Sequence, residues 1–170
     1  MINVAINGYG RIGRNILRAL YERPDLHQAM RVVAINDLGS PDMNAHLTQF
    51  DTTHGRFPLA VSVESGDMLV GSDRIKIVSE RDPEQLPWSD LSIDIVFECT
   101  GLFTGREAAR KHVRGGRELE NRLDADSLST DPGAALVFAA VASTSASATA
   151  ARLARRASAT SRAHIPRGHR

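Results

Sequence analysis

The feature that most constrains this chain is a short apolar run, Val4-Ala5-Ile6-Asn7, that breaks into Gly8-Tyr9-Gly10-Arg11-Ile12-Gly13 and passes directly into an amphipathic segment. Each glycine of the Gly8-x-Gly10-x-x-Gly13 pattern meets a separate need. Gly8 permits a tight turn out of the strand, Gly10 lets the backbone approach a pyrophosphate, and Gly13 lets a helix pack close to the sheet. Unpaired N–H groups at the start of that helix, together with its dipole, favour phosphate. The context agrees on both sides, with Ile2, Val4 and Ile6 as strand residues and Ile12, Ile16, Leu17 and Leu20 as a helical stripe. A second apolar strand, Val32-Val33-Ala34-Ile35, runs into Asn36-Asp37. An acid about 20 residues or slightly more beyond the last glycine is placed to accept hydrogen bonds from an adenosine ribose. Strand, glycines, helix and acid together imply a dinucleotide site. A carboxylate at Asp37 would repel a 2′-phosphate and Leu38 offers no compensating positive charge, so NAD is expected in preference to NADP.

The remainder of the first 112 residues extends a parallel α/β pattern. Pro24 and Asp25 mark a turn, and Ser40-Pro41-Asp42 offers a helix start with proline in the first turn. Met43, Leu47 and Phe50 then recur at helical spacing, and His54-Gly55 ends the segment, with His54 expected to shape the turn and not to catalyse. Leu59 to Glu64, Met68 to Val70 and Arg74 to Val78 are short runs separated by Ser65-Gly66-Asp67 and Gly71-Ser72-Asp73, the pattern of an antiparallel meander. Ile93 to Glu98 reads as another buried strand, with Cys99-Thr100-Gly101 at its carboxyl end, where open α/β sheets bind ligands. A helix is expected from Thr104 or Gly105, with Ala108, Ala109 and Val113 on one face. The expected fold is a Rossmann-type doubly wound, mostly parallel sheet with an antiparallel meander inserted.

Composition narrows the classes. The 170 residues suffice for one domain with a core. A formal net charge of +1 points to no nucleic-acid or membrane partner. No apolar run approaches the about 20 residues that span a bilayer, the N-terminus reads as a strand and not as a signal peptide, and the single cysteine excludes an intrachain disulfide. A cytoplasmic location is expected. No metal-ligand constellation is visible.

Five ordered blocks carry a resemblance: Ala5 to Arg14, Ala34 to Leu38, Asp51 to Phe57, Glu80 to Pro83 and Glu98 to Phe103. They resemble the glyceraldehyde-3-phosphate dehydrogenase family, including its erythrose-4-phosphate dehydrogenase branch, from Met1 to about His112. The resemblance implies an NAD-binding domain in which Asn7, Gly8, Gly10, Arg11, Ile12 and Gly13 surround the pyrophosphate. By the same resemblance Asp37 takes the adenosine ribose, Arg81 the adenine edge, and Thr100, Gly101 and Phe103 the nicotinamide half. The family oxidises a small phosphorylated aldehyde through a cysteine thioester with a histidine base, and assembles as a homotetramer. Cys99 lacks the Ser-Asn-Ala-Ser-Cys context of that nucleophile and is expected to be a small buried residue. His164 and His169 cannot be matched to the base. No catalytic residue is therefore assigned, and a tetramer is not expected of a chain lacking the catalytic half.

Beyond His112 the text changes. From Gly133 to Ala163 it is dominated by Ala, Ser, Thr and Arg, and from Pro132 onward every Asp, Glu, Lys or Arg position is an arginine. Such a segment, 113–170, has too few large side chains for a core, and is expected to be poorly ordered or loosely helical. Degenerate codons for Val113 to Ala125, read one base later, allow Ala-Ala-Gly-Ala-Ser-Leu-Lys-Ile-Val-Ser-Met-Pro, a turn and strand of the kind the family has there. A shifted reading frame near His112 is one reading, and a divergent tail is the other. Two further readings stay open: a polyanion-binding role for the basic stretch Arg152 to Arg170, and a catalytic half borrowed from another chain. The sequence does not separate the glyceraldehyde-3-phosphate from the erythrose-4-phosphate branch.

Overall fold

The computed structural model describes residues 1–103, 105–112 and 137–140. In chain order the elements are β1 (Ile2–Asn7), α1 (Arg11–Glu22), α2 (Pro24–Ala29), β2 (Met30–Asn36), α3 (Pro41–Gln49), β3 (Phe50–Asp51), β4 (Gly55–Arg56), β5 (Val61–Glu64), β6 (Asp67–Val70), β7 (Asp73–Val78), β8 (Ile95–Glu98), α4 (Arg106–Ala109) and β9 (Val137–Ala140). Among the described residues seven strands form one sheet in the order β5-β6-β7-β2-β1-β8-β9, and β3 with β4 makes a separate two-stranded ribbon. The central strands β7, β2, β1 and β8 are parallel. The meander β5-β6-β7 is antiparallel, and its last strand is also the one that joins the parallel sheet. This is the expected Rossmann-type arrangement, with β1 in the middle and its two parallel neighbours on opposite sides.

Successive side chains of the central strands point to opposite faces, and both faces are covered, so β1 and β8 are buried almost throughout. Val4, Ile6, Ile35, Ile95 and Phe97 face the larger core, which Leu17 and Leu20 of α1 and Leu26 of α2 complete. Ala5, Ala34 and Val96 face a second cluster with Leu86, Trp88 and Ile93. The small alanines on that face leave room for Trp88, which is fully buried.

Several expectations are corrected. Pro24 and Asp25 begin a short helix, α2, with proline in its first turn, where its missing N–H costs no hydrogen bond. Ile12 is 37% exposed and stands outside the core stripe. In α3, started by the Ser40 cap that accepts from the Met43 N–H, the apolar stripe does not face inward. Met43 and Phe50 are exposed, while Asn44, Ala45, Thr48 and Gln49 are buried. The polar face wins because it is hydrogen-bonded. Tyr9 and Thr48 hydroxyls lie 2.8 Å apart, Gln49 Nε2 donates to the Phe57 and Leu59 carbonyls, and Gln49 Oε1 accepts the Val61 N–H.

The segment expected to be disordered or loosely helical contributes β9, antiparallel to β8 with Phe97 opposite Phe138. Val137 and Phe138 are good strand formers, and β8 would otherwise present an unpaired edge. The Arg152 to Arg170 stretch, His164 and His169 lie outside the described residues, as does the rest of segment 113–170 apart from β9.

Candidate dinucleotide site

The carboxyl ends of β2, β1 and β8 lie side by side, with Asn36, Asn7 and Glu98 at the same level of the sheet. Strand order reverses at β1, the place where open α/β sheets form a ligand crevice. The turn from Gly8 to Gly10 rises from this point. Gly8 has φ +88°, and a Cβ there would lie 2.7 Å from the Thr100 nitrogen. A Cβ on Gly13 would overlap the Gly8 carbonyl oxygen, so helix and turn touch backbone to backbone. Gly10 is different, since a Cβ there would meet nothing within 4 Å. The three glycines therefore divide as the sequence pattern requires, two for close packing and one facing open space.

Gly10 is the N-cap of α1 and gives no side-chain cap, and the first turn carries no acid. The first N–H groups of the helix thus face outward at its positive dipole end without a built-in anion, a donor set suited to phosphate oxygens. Arg11 and Ile12 are exposed there. Arg14 reaches back to the Tyr9 carbonyl through Nη1 at 3.0 Å, adding a cation beside the turn.

Asp37 lies just past β2. One carboxylate oxygen accepts the Tyr9 N–H at 2.8 Å and the other the Gly39 N–H at 2.8 Å. Arg81 follows Glu80 beyond β7, and Glu80 is fixed on both sides by the Asn36 amide, which donates to its carbonyl and accepts its N–H, each at 2.8 Å. The Arg81 side chain is exposed. Thr100 and Gly101 form the turn after β8, with Thr100 against the back of Gly8 and Gly101 at φ +75°. Phe103 packs edge-on against His112, ring centroids 5.8 Å apart.

Asn7 is buried and its side chain points into a polar network. Its Nδ2 donates to Glu98 Oε2 at 2.5 Å, and its Oδ1 accepts from Asn36 Nδ2 at 2.7 Å. Glu98, His112, Asn36 and Trp88 complete this network, and sequence reasoning did not select them as site residues. The available signal was an acid ending the apolar run Ile95-Val96-Phe97. Burial by itself would raise the Glu98 carboxyl, but hydrogen bonds from His112, Thr100 and Asn7 outweigh it and hold the group below the usual carboxylate range. Cys99, expected to be buried, is partly exposed at the surface of the larger core. Burial of its sulfur and the neighbouring Glu98 charge push the thiol up, so it stays protonated at neutral pH.

A parallel sheet with a glycine turn, an open helix N-terminus and an acid on the adjacent strand defines a dinucleotide-binding α/β domain. The family described as glyceraldehyde 3-phosphate dehydrogenase, NAD binding domain, matches residues 2–106. The chain is 58% identical over 115 residues to the chromosomal glyceraldehyde-3-phosphate dehydrogenase of Cupriavidus necator, and 57% identical over 115 residues to the plasmid protein of the same name from that organism. Each match takes in 68% of this chain and 34% of the relative, so the chain spans about a third of the length of these proteins. The chain belongs to the glyceraldehyde-3-phosphate dehydrogenase family through its NAD-binding domain, and NAD is the expected cofactor.

Proposed function

We propose that this chain binds NAD across the carboxyl ends of β2, β1 and β8 and does not by itself oxidise a phosphorylated aldehyde. The observation that carries the binding mode is Gly10, a glycine with open space where a side chain would be, at the uncapped start of α1. In this reading the pyrophosphate rests on the N–H groups following Gly10, with Gly8, Arg11, Ile12 and Gly13 around it. Asp37 takes the adenosine ribose, Arg81 the adenine edge, and Thr100, Gly101 and Phe103 the nicotinamide half. Asn7 acts from behind the turn. Bound NAD supplies the hydride acceptor.

The inactivity rests on the thiol. The family's reaction needs a thiolate held against the nicotinamide and a base to take its proton. The sequence contains one cysteine, and Cys99 is protonated, tied into the strand end by its N–H to the Asn7 carbonyl at 2.7 Å. The family substrate would be a small phosphorylated aldehyde, glyceraldehyde-3-phosphate or erythrose-4-phosphate, in a cytoplasmic setting, with a tetramer not expected of this chain. Calorimetric titration with NAD, followed by an absorbance assay for NAD reduction on the same sample with each aldehyde, tests both parts. Binding without turnover is expected. Turnover abolished by Cys99→Ser would overturn the inactivity, and absence of NAD binding would sink the cofactor assignment.

A further inference from the structure

Behind the glycine turn lies a buried chain of polar contacts centred on Glu98 and His112, two residues to which the cofactor reading gives no part. One Glu98 oxygen accepts from the Thr100 N–H at 2.8 Å and from the Thr100 hydroxyl. The other accepts from Asn7 Nδ2 and lies 2.8 Å from His112 Nε2. His112 Nδ1 faces the Trp88 indole nitrogen at 3.2 Å. An indole N–H can only donate, so Nδ1 must accept and Nε2 must carry the proton that His112 gives to Glu98. One proton arrangement satisfies every member: neutral His112 and ionised Glu98, with four donors on the carboxylate. Glu98 is 2% exposed and His112 is fully buried, so neither is placed to touch a ligand directly.

What the network does follows from what it holds. Thr100 is fixed by Glu98 and in turn accepts the Leu102 N–H at 3.0 Å, which shapes the turn after β8. That turn is the surface against which Gly8 packs without room for a Cβ. Asn7, also held by Glu98, is the residue from which the glycine turn departs, and Phe103 rests on the His112 ring. A shift of the Glu98 carboxylate therefore moves the 99–103 turn relative to the glycine turn, while Asp37 stays bonded to the glycine turn through the Tyr9 N–H and to the Gly39 N–H.

We propose that Glu98 and His112 are positioning residues that set the spacing between the glycine turn and the 99–103 turn, and so govern binding of the nicotinamide half of the dinucleotide but not its adenosine half. The inference rests on the NAD-binding reading above. NAD and AMP are titrated calorimetrically into the full chain and into Glu98→Gln, His112→Leu, His112→Gln and Thr100→Val variants. Glutamine at position 112 can still donate to Glu98 and accept from Trp88, whereas leucine can do neither. NAD affinity should fall about tenfold in the Glu98→Gln, His112→Leu and Thr100→Val variants, the scale of one lost charge-assisted hydrogen bond. AMP affinity should change less than about twofold, and His112→Gln should retain most of the NAD affinity. Thr100→Val tests the same bond from the surface side: combined with Glu98→Gln it should cost no more NAD affinity than either change alone, whereas additive losses would mean that Thr100 acts only by touching the dinucleotide. Equal losses for NAD and AMP, or no loss for either, would overturn the positioning role. An unaltered chain that binds AMP but not NAD, or neither, overturns the parent reading and this one with it.

Discussion

Oδ2 of Asp37 accepts the backbone N–H of Tyr9 at 2.8 Å, so the acid at the end of β2 is bonded to the glycine turn at the end of β1. The carboxylate that would receive the ribose also fixes the loop that would receive the pyrophosphate. Asp37→Ala should therefore lower NAD affinity by at least about tenfold and narrow the preference for NAD over NADP. Paired calorimetric titrations check this, and an unchanged preference would remove Asp37 from the ribose site.

The glycines should respond in opposite ways. Gly13→Ala places a Cβ against the Gly8 carbonyl and should cost about 1–3 kcal/mol of stability, as overpacking does. Gly10 has φ −70°, a value alanine adopts freely, and open space beside it. Gly10→Ala should cost less than about 1 kcal/mol, the range of an altered N-cap, while weakening NAD. Urea melts and NAD titrations on both variants separate folding from binding.

Acid should act through Glu98. Its folded-state carboxyl lies below the ordinary range, so as pH falls the unfolded chain takes up the proton first. The stability this group contributes is complete above the usual glutamate value of about 4.3 and is lost as pH falls through the folded value. Urea unfolding from about pH 7 to about pH 3 should show a steeper loss in the unaltered chain than in Glu98→Gln. Parallel profiles would mean that Glu98 contributes nothing to the pH dependence.

On α3 the polar face should matter more than the apolar one. Gln49→Ala leaves the Phe57 carbonyl and the Val61 N–H without their side-chain partners and should cost about 1–3 kcal/mol. Met43→Ser, at an exposed position, should stay within about 0.5 kcal/mol. Thermal denaturation of both variants is the check.

The glycine turn, the second strand and Asp37 were legible because their meaning is local: backbone freedom, an uncapped helix and an acid at a set distance. The meander was legible for the same reason, and Ser65 and Gly66 both have positive φ, as a tight two-residue hairpin turn requires. Ile12, Met43 and Phe50 misled because periodicity assumes that apolar residues turn inward, whereas α3 is held by hydrogen bonds from Thr48 and Gln49. The place of Asn7 in the motif was legible, but the direction of its side chain, toward Glu98 and Asn36, was not. Glu98 and His112 escaped notice because Glu98 meets Asn7 across 91 positions and His112 meets it across 105. Spacing rules do not reach that far.

The central place of β1 also imposes an order in time. Asn7 meets Asn36 across 29 positions but Glu98 across 91, so loop closure favours pairing of β1 with β2 first and admits β8 late. The half of the crevice bounded by Asp37 can form while the chain is still short, as it emerges from the ribosome. The half bounded by Thr100 must wait for nearly the whole domain to be synthesised, so a nascent chain would acquire its adenosine side before its nicotinamide side.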